Sequence, residues 1–528
     1  MTARFVPLWA LLSAGALLAS DAYPPPRFTD PDRVKKLQSA MPDVDQIFRK
    51  FAADRKIPGM VWGVVIDGRL AHVGTAGVRD RESNAPVTAS TAFRIASMSK
   101  SFTTLAILKL RDEGKLSLED RVSRWIPEFA TMELPTRDTP PLLIRQILSH
   151  SAGFPEDNPW GDQQLSASDD DLTQWLRKGI PFSTPPGTRY EYSNYAFGLL
   201  GRIVTKASGV PYEKYVDTQI LAKLGMDSST FDFARVPADQ RAKGYRLQPD
   251  GTYLEEPPLP QGAFSSVGGM ITTSTDLGKY VAFHLSAWPP RDDADSGPVR
   301  RSSVREMAHM WTPSNLTVRR NGGGVRVSEA GYGYGLRIGS DCRFEHIVGH
   351  GGGLPGFGSY MEWLPDYGVG MFAMASLTYA GPAGAISQAW DVLLKTGGLR
   401  PRELPVAPIL SEMRGHIFSL WKTWNDAEAK QIASMNLFLD APIAQRRAEI
   451  QKLKADVGEC TDAGPVTPEN WLRGQFNMSC RNGTVGVFFT LSPTQPPAVQ
   501  HLAFRKLDSA SPRLGAPTGA PAGVACTE

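Results

Sequence analysis

The spacing of apolar positions divides the chain before any motif is considered. Residues 43–56 put Val44, Ile47, Phe48 and Phe51 on one face, the pattern of an amphipathic helix. Two β-like runs follow, Met60 to Ile66 and Leu70 to Gly77. The gap between them, Asp67-Gly68-Arg69, is short and carries a glycine, which signals a hairpin. Ser97 to Glu113 again has helical spacing. Phe102, Leu105 and Leu108 share one face, while Ile107 and Leu110 make another side apolar, so this helix is predicted to be mostly buried, with Gly114 closing it. Residues 115–310 read as helix and loop, rich in proline. Strands are then predicted at Tyr332 to Ile338, Phe344 to His350, Gly358 to Leu364 and Val369 to Ala375, with a turn at Pro365-Asp366-Tyr367-Gly368, before a helix from Ala385 to Leu394. Strands and a helix at each end with helices between predict one sheet assembled from both ends plus a helical insert. That is a layered α+β domain and not a βαβ repeat.

Residues 397–408 read as a proline-bearing linker. Beyond it, helical patterns (Ile409 to Trp424, Ala427 to Phe438, Ile443 to Leu453) precede β-like runs (Leu472 to Cys480, Thr484 to Leu491, Val499 to Phe504). They predict a smaller C-terminal α+β domain over residues 409–508. The Pro/Ala/Gly-rich residues 509–528 read as a disordered tail. At the other end, Arg4, the apolar run Phe5 to Ala19 and the small residues Ser20 and Ala22 read as a cleaved export signal over residues 1–22. The expected mature protein is periplasmic or secreted, with no integral membrane anchor.

Composition narrows the function classes. The chain has 528 residues, 41% apolar and 21% charged, which is ordinary globular usage and excludes disorder as its main theme. Its 57 Lys+Arg against 54 Asp+Glu give a net charge of +3, too balanced for binding nucleic acid through phosphate neutralisation. Four cysteines cannot make a disulfide-dense scaffold. Cys460 and Cys480 both fall in the small C-terminal unit and are candidates to staple it. Cys342 and Cys526 are left over, and four cysteines permit three connectivities. No Cys/His spacing resembles a metal site, and no cofactor is expected.

Three short motifs carry chemistry. Ser97-Met98-Ser99-Lys100 opens a helix, where residues three apart share a face, so the hydroxyl and the amine are neighbours. A serine hydroxyl needs a base to become a nucleophile, and a lysine whose pKa is lowered supplies one. Alone, the motif is weak evidence and reads more readily as an N-cap serine with a solvated lysine, and Ser419-Leu420-Trp421-Lys422 repeats it as incidental helix spacing. In Tyr192-Ser193-Asn194, the phenol can relay a proton and the amide can bind a substrate amide; the bland reading of Tyr192 is a turn tyrosine. His350-Gly351-Gly352-Gly353 lies at the end of a predicted strand. There glycines let a substrate backbone approach and an edge N–H can serve an oxyanion hole; the bland reading is a flexible loop.

With these motifs in this order, residues 43–396 resemble the serine β-lactamase and DD-peptidase family, the penicillin-recognising enzymes, closest to the class C branch. The resemblance rests on Phe93 to Lys100, Ile147 to Gly153, Tyr190 to Tyr195, Gly262 to Met270 and Gly349 to Phe357. It implies a β-lactamase/transpeptidase-like fold, an antiparallel sheet flanked by helices plus a helical subdomain. It also implies roles. Ser97 would be the nucleophile that forms an acyl-enzyme, and Lys100 and Tyr192 would share acid/base work. Asn194 would hold the acyl-side amide, and His350 would sit near the leaving group or a substrate carboxylate. The N–H groups of Ser97 and Gly353 would form the oxyanion hole, with Gly351 and Gly352 beside the substrate. Lys395-Thr396-Gly397 mimics the family's third motif but falls at a helix end, after the strands, so His350-Gly351-Gly352 is preferred. Ser149-His150-Ser151-Ala152-Gly153 mimics a nucleophile elbow without its first glycine, and His150 reads as structural. A true class C enzyme is expected to carry lysine where this chain has His350, which weakens the case for efficient antibiotic hydrolysis. The implied activity is an exported serine acyl-hydrolase acting on small amides or esters, such as D-amino-acid peptides (DD-carboxypeptidase-like) or β-lactams, a small-molecule or short-peptide substrate. D-amino-acid peptides are favoured because Asn194 and His350 suit an amide with a nearby carboxylate. The alternatives are an esterase of the same family and a penicillin-binding sensor with little turnover.

Overall fold

The computed structural model describes residues 23–157, 165–321 and 324–507. The expected signal segment, the expected tail and Cys526 lie outside them. The chain divides into two compact units, one of residues 30–401 and one of residues 23–29 with residues from 402 onward. Among the described residues no helix is long and apolar enough to cross a membrane.

The larger unit is built on a nine-stranded antiparallel sheet. In chain order its elements are α1 (Met41–Asp54), β1 (Gly59–Ile66), β2 (Arg69–Asp80), β3 (Ala85–Pro86), α2 (Ser99–Asp112), α3 (Asn194–Ser208) and α4 (Ser274–Ser286). They continue with β4 (Thr312–Asn321), β5 (Gly324–Tyr332), β6 (Arg337–Asp341), β7 (Ile347–Leu354), β8 (Phe357–Leu364), β9 (Val369–Ala375) and α5 (Ala383–Lys395). The strand order is β3-β2-β1-β9-β8-β7-β6-β5-β4, so the first hairpin joins the later strands through β1 and β9, with Met60 opposite Ala375 and Ile66 opposite Val369. Every residue of β1 is buried, and alternate side chains enter different cores. Met60, Trp62, Val64 and Ile66 pack with Val44 and Phe48 of α1 and Ile386, Ala389 and Trp390 of α5. Val61 and Val65 point into the larger core with Phe102 and Leu105 of α2, Leu199 and Ile203 of α3 and Leu277 and Val281 of α4. The first and last helices thus cover one sheet face, and α2 with the helical insert covers the other.

Most predicted elements stand where their periodicity put them, and the departures have physical causes. The predicted strand Tyr332 to Ile338 straddles a turn. Tyr332 ends β5, Gly335 takes a left-handed φ of +66°, and β6 starts at Arg337. The predicted strand Phe344 to His350 starts later and runs further, because Phe344 N–H and C=O bond back to Asp341 and all three glycines are paired in β7. Those glycines are therefore strand, not a loop at a strand's end. The β4–β5 hairpin was absent from the apolar pattern: this outer ribbon leaves Leu316 and Val318 exposed and has little buried face to leave a period-two signal. A small ribbon pairing Gly244–Leu247 with Tyr253–Glu256 also interrupts the predicted helix-and-loop region.

The smaller unit comprises α6 (Pro408–Lys422), α7 (Asp426–Ile432), α8 (Met435–Asp440) and α9 (Ile443–Val457). They are followed by a five-stranded antiparallel sheet of β10 (Cys460–Ala463), β11 (Thr467–Asn470), β12 (Arg473–Cys480), β13 (Gly483–Leu491) and β14 (Val499–Leu507). The predicted helix Ala427 to Phe438 breaks at Ala433, whose backbone is extended and bridges to Val499. Cys460 and Cys480 face each other on β10 and β12 and are joined by a disulfide.

Candidate active site

Ser97 lies on a single 3-10 turn, Ala96–Met98, that leads into α2. Ala96 has φ +47°, a conformation that L-residues other than Asn and Asp seldom adopt. The turn is clamped from both sides. Ile95 N–H donates to Met270 C=O, Ile95 C=O accepts from Ser359 Oγ at 2.9 Å, and Met270 N–H donates to Ser99 Oγ at 3.0 Å. These bonds hold the strained turn in place. One helical step on, Lys100 is wholly buried, and its Nζ lies 3.0 Å from Ser97 Oγ, 2.7 Å from Asn194 Oδ1 and 3.2 Å from the carbonyl of Val267.

Tyr192 and Asn194 flank the start of α3. Ser193 caps this helix, its Oγ accepting from Ala196 N–H. Asp157, buried, accepts from Asn194 N–H through one oxygen and from Tyr195 N–H through the other at 2.6 Å, so it grips the first turn of α3. Burial pushes its carboxyl above the ordinary range against the opposing pull of those two donors. The Tyr192 hydroxyl is hydrogen-bonded to Ser97. Burial raises this phenol above its usual range, the Ser97 bond acting the other way. Lys100 Nζ lies 4.9 Å from the centre of the Tyr192 ring.

His350 comes from β7. This strand pairs with β6 only as far as Gly349, opposite Arg337. From His350 to Leu354 its partner is β8 alone, which leaves its other edge facing the Ser97 turn. The approach is close: a Cβ on Gly352 would stand 2.1 Å from the carbonyl oxygen of Ile95, and one on Gly353 2.5 Å from the Tyr379 ring. His350 Nδ1 is 2.6 Å from Gly351 C=O, and Nε2 is 2.7 Å from Tyr332 Oη. A carbonyl only accepts, so Nδ1 carries the proton and Nε2 accepts from the tyrosine. Burial first, then the charges of Arg337 and Lys100, lower the His350 pKa well below the ordinary imidazole value, so this ring is neutral near pH 7.

All the sequence-predicted residues therefore meet. Ser97, Tyr192, Asn194, His350, Gly351, Gly352 and Gly353 line one cavity of about 240 Å³, with Lys100 beneath it. Lys395-Thr396-Gly397 is elsewhere: Lys395 ends α5 and Gly397, at φ +69°, stops it. His150 is buried, its ring 4.2 Å from that of Tyr192 and 4.5 Å from that of Tyr332. Its Nδ1 accepts from Ser193 N–H at 3.2 Å, and burial followed by the Lys100 charge lowers its pKa far below the ordinary value. It supports Tyr192 and offers no nucleophile.

Arg337 was not read from the sequence. It is exposed in the same cavity, 5.6 Å from the centre of the Tyr192 ring, and hydrogen-bonded to Tyr190. The signal that finds it is strand register: once β6 is a strand, Arg337 sits opposite Gly349, one residue from His350. Asp157 and Tyr332 carried no local signal, since their role exists only in the folded neighbourhood. Among the described residues no group of three or more His, Cys, Asp or Glu side chains is placed to hold a metal ion.

Residues 44–393 match the family model described as Beta-lactamase. The chain belongs to this family of serine hydrolases. It is similar to Beta-lactamase-like protein 2 of Dictyostelium discoideum, 33% identical over 275 residues, covering 50% of each chain. It is also similar to Protein flp of Staphylococcus aureus (strain COL), 28% identical over 336 residues, 63% of this chain and 62% of that one. The chain thus spans between half and two thirds of the length of these relatives. Among solved structures it resembles the octameric penicillin-binding protein homologue from Pyrococcus abyssi, with TM-score 0.57, 23% identity and coverage of 89% of this chain and 95% of that one. A class C β-lactamase superposes with TM-score 0.53, 21% identity and coverage of 70% and 98%. The family therefore carries a β-lactamase/transpeptidase-like fold here, with a C-terminal sheet domain added.

Proposed function

We propose that this protein is an exported serine acyl-hydrolase that works through an acyl-enzyme at Ser97 and prefers short D-amino-acid peptides with a free carboxylate. One observation carries the reading: Lys100 Nζ stands 3.0 Å from Ser97 Oγ while the Tyr192 hydroxyl bonds the same serine, so the nucleophile has two proton partners. Lys100 and Tyr192 take the Ser97 proton as Oγ attacks the carbonyl carbon. The N–H groups of Ser97 and Gly353 receive the negative charge that grows on the carbonyl oxygen. Tyr192 then returns a proton to the leaving amine, and water repeats the cycle to free the acid. Asn194, its Oδ1 tied to Lys100, turns its amide N–H groups to the acyl-side carbonyl.

The preference for a carboxylate rests on Arg337. His350 is neutral and its two nitrogens are engaged, so it cannot be the cation that binds an acid group; Arg337 lines the same cavity and is charged at every working pH. The test compares wild type with Ser97→Ala on a D-Ala-D-Ala peptide and on a p-nitrophenyl ester. Turnover of the peptide that disappears in Ser97→Ala is the expected result; equal turnover in both proteins would sink the mechanism. Turnover of the ester alone would make it an esterase.

A further inference from the structure

The C-terminal unit holds a second cavity, of about 560 Å³, that nothing in the hydrolase chemistry uses. Protein interiors seldom keep a void much larger than a water molecule, whereas cavities of roughly 300–1,000 Å³ are the range of small-molecule sites. Its wall is largely apolar, formed by side chains such as Leu420, Trp424, Ile432, Phe438, Ile450 and Phe504, which come from four helices, the link between α6 and α7 and the last strand. These residues belong to the same core that fills the rest of the unit, so the core is left open at this point where it could have closed. The helix α8 contributes Leu437 and Phe438 to the wall, and its Met435 and Leu439 are 82% and 72% exposed. Exposed large apolar side chains on a helix that also lines an apolar cavity offer an apolar chain a surface in the same element.

Two cations border the cavity, Lys452 and Arg446; Lys452 is exposed, and the half-buried Arg446 gives the ligand its polarity. Arg446 is half-buried, and its Nε donates to Leu437 C=O at 2.9 Å and its Nη1 to Leu502 C=O at 3.2 Å. Among the described residues no carboxylate lies within ion-pair distance of it, although Glu449 and Asp456 also border the cavity; Asp456 is paired with Lys506. Burial lowers the Arg446 pKa from its ordinary value, and the charges of Glu449 and Asp440 oppose that shift without reversing it. An anionic head at Arg446 with a hydrocarbon tail among the leucines and aromatics satisfies both features at once.

We propose that this cavity binds a single-chain amphiphile of the fatty-acid class, its carboxylate on Arg446 and its alkyl chain in the pocket bounded by α6, α7, α8, α9 and β14. The site is independent of Ser97 and of the reading given to it.

The test uses the full chain and monomeric dodecanoate, dodecanol and phosphatidylglycerol vesicles, with binding followed by calorimetry and by native mass spectrometry. The expected result is one equivalent of dodecanoate bound, at least about tenfold more tightly than dodecanol, the range of a hydrogen bond to a charged group. Arg446→Met should remove that preference and leave dodecanol binding. Ala503→Phe, which fills the cavity from β14, should abolish both and leaves the Arg446 carbonyl bonds in place should Arg446→Met fail to fold. No stoichiometric binding of dodecanoate, equal affinity for acid and alcohol, binding that survives Ala503→Phe, or association with vesicles alone would each overturn the proposal.

Discussion

Lys100 and Arg337 divide the positive charge of the site between two tasks. Lys100 is wholly buried under Ser97, where its amine bonds the Ser97 hydroxyl, Asn194 and a backbone carbonyl. Arg337 is exposed, over the Tyr192 ring, where an incoming anion can reach it. Arg337→Leu should therefore raise KM for a D-Ala-D-Ala peptide about tenfold or more, the cost of a lost charged hydrogen bond, and leave kcat/KM for a neutral p-nitrophenyl ester nearly unchanged. A parallel loss on both substrates would show that Arg337 only holds Tyr192 in place. The histidines make a separate prediction. His150, His284 and His350 are all buried, and burial lowers each below the ordinary imidazole value, His284 to about 3. Above the unfolded value of about 6.5 they are neutral in both states. As pH falls below it the unfolded chain gains protons that the folded one refuses, so stability drops, by up to about 1.4 kcal/mol per pH unit for each histidine. His284, packed between Tyr280 and Trp363 away from the cavity, isolates the effect. Urea titrations at pH 7 and pH 5.5 should show a smaller pH-dependent loss in His284→Leu than in wild type; identical losses would refute the account of that residue.

Among the elements, β7 carries the tightest constraint. Its glycines are strand residues whose free edge closes on the Ser97 turn, and the clearance differs along it. A methyl on Gly352 would meet Ile95 C=O at 2.1 Å, while one on Gly351 would meet a Tyr360 ring carbon at 3.1 Å. Gly352→Ala should force strand and nucleophile apart and lower kcat/KM about 100-fold, as expected for a displacement near 1 Å. Gly351→Ala, which asks only that a side-chain ring yield, should cost much less; equal effects would mean that the approach of β7 to the turn does not matter. The same strand shows where sequence reading reached and where it stopped. Val369–Ala375 and Gly59–Ile66 are buried on both faces and bounded by turn residues, so their limits were readable almost to the residue. β7 starts three residues and ends four residues later than its apolar pattern indicates, because glycines carry no apolar signal, and β4 and β5 were missed because they have almost no buried side. Ser97, Lys100, Tyr192, Asn194 and His350 were legible as candidates because each motif is local, and the fold brings them together. Arg337, Asp157 and Tyr332 were not, because each acts through a contact made between distant segments.

At the scale of the catalytic unit, the site stands where three separately encoded parts meet. The 3-10 turn before α2 brings Ser97 and Lys100, the helical insert brings Tyr192 and Asn194, and the sheet brings His350 and Arg337. The sheet itself is closed by β1 from one end of the domain and β9 from the other, so its integrity depends on segments about 300 residues apart in sequence. Such a site either forms whole or not at all. The central claim is that this arrangement makes Ser97 a nucleophile. Intact-mass spectrometry of the purified protein after brief exposure to a fluorescent penicillin, with peptide mapping of any adduct, tests it most directly. A single covalent adduct on the peptide containing Ser97, absent from Ser97→Ala, is the predicted result. An adduct on another residue, or labelling that persists in Ser97→Ala, would contradict it.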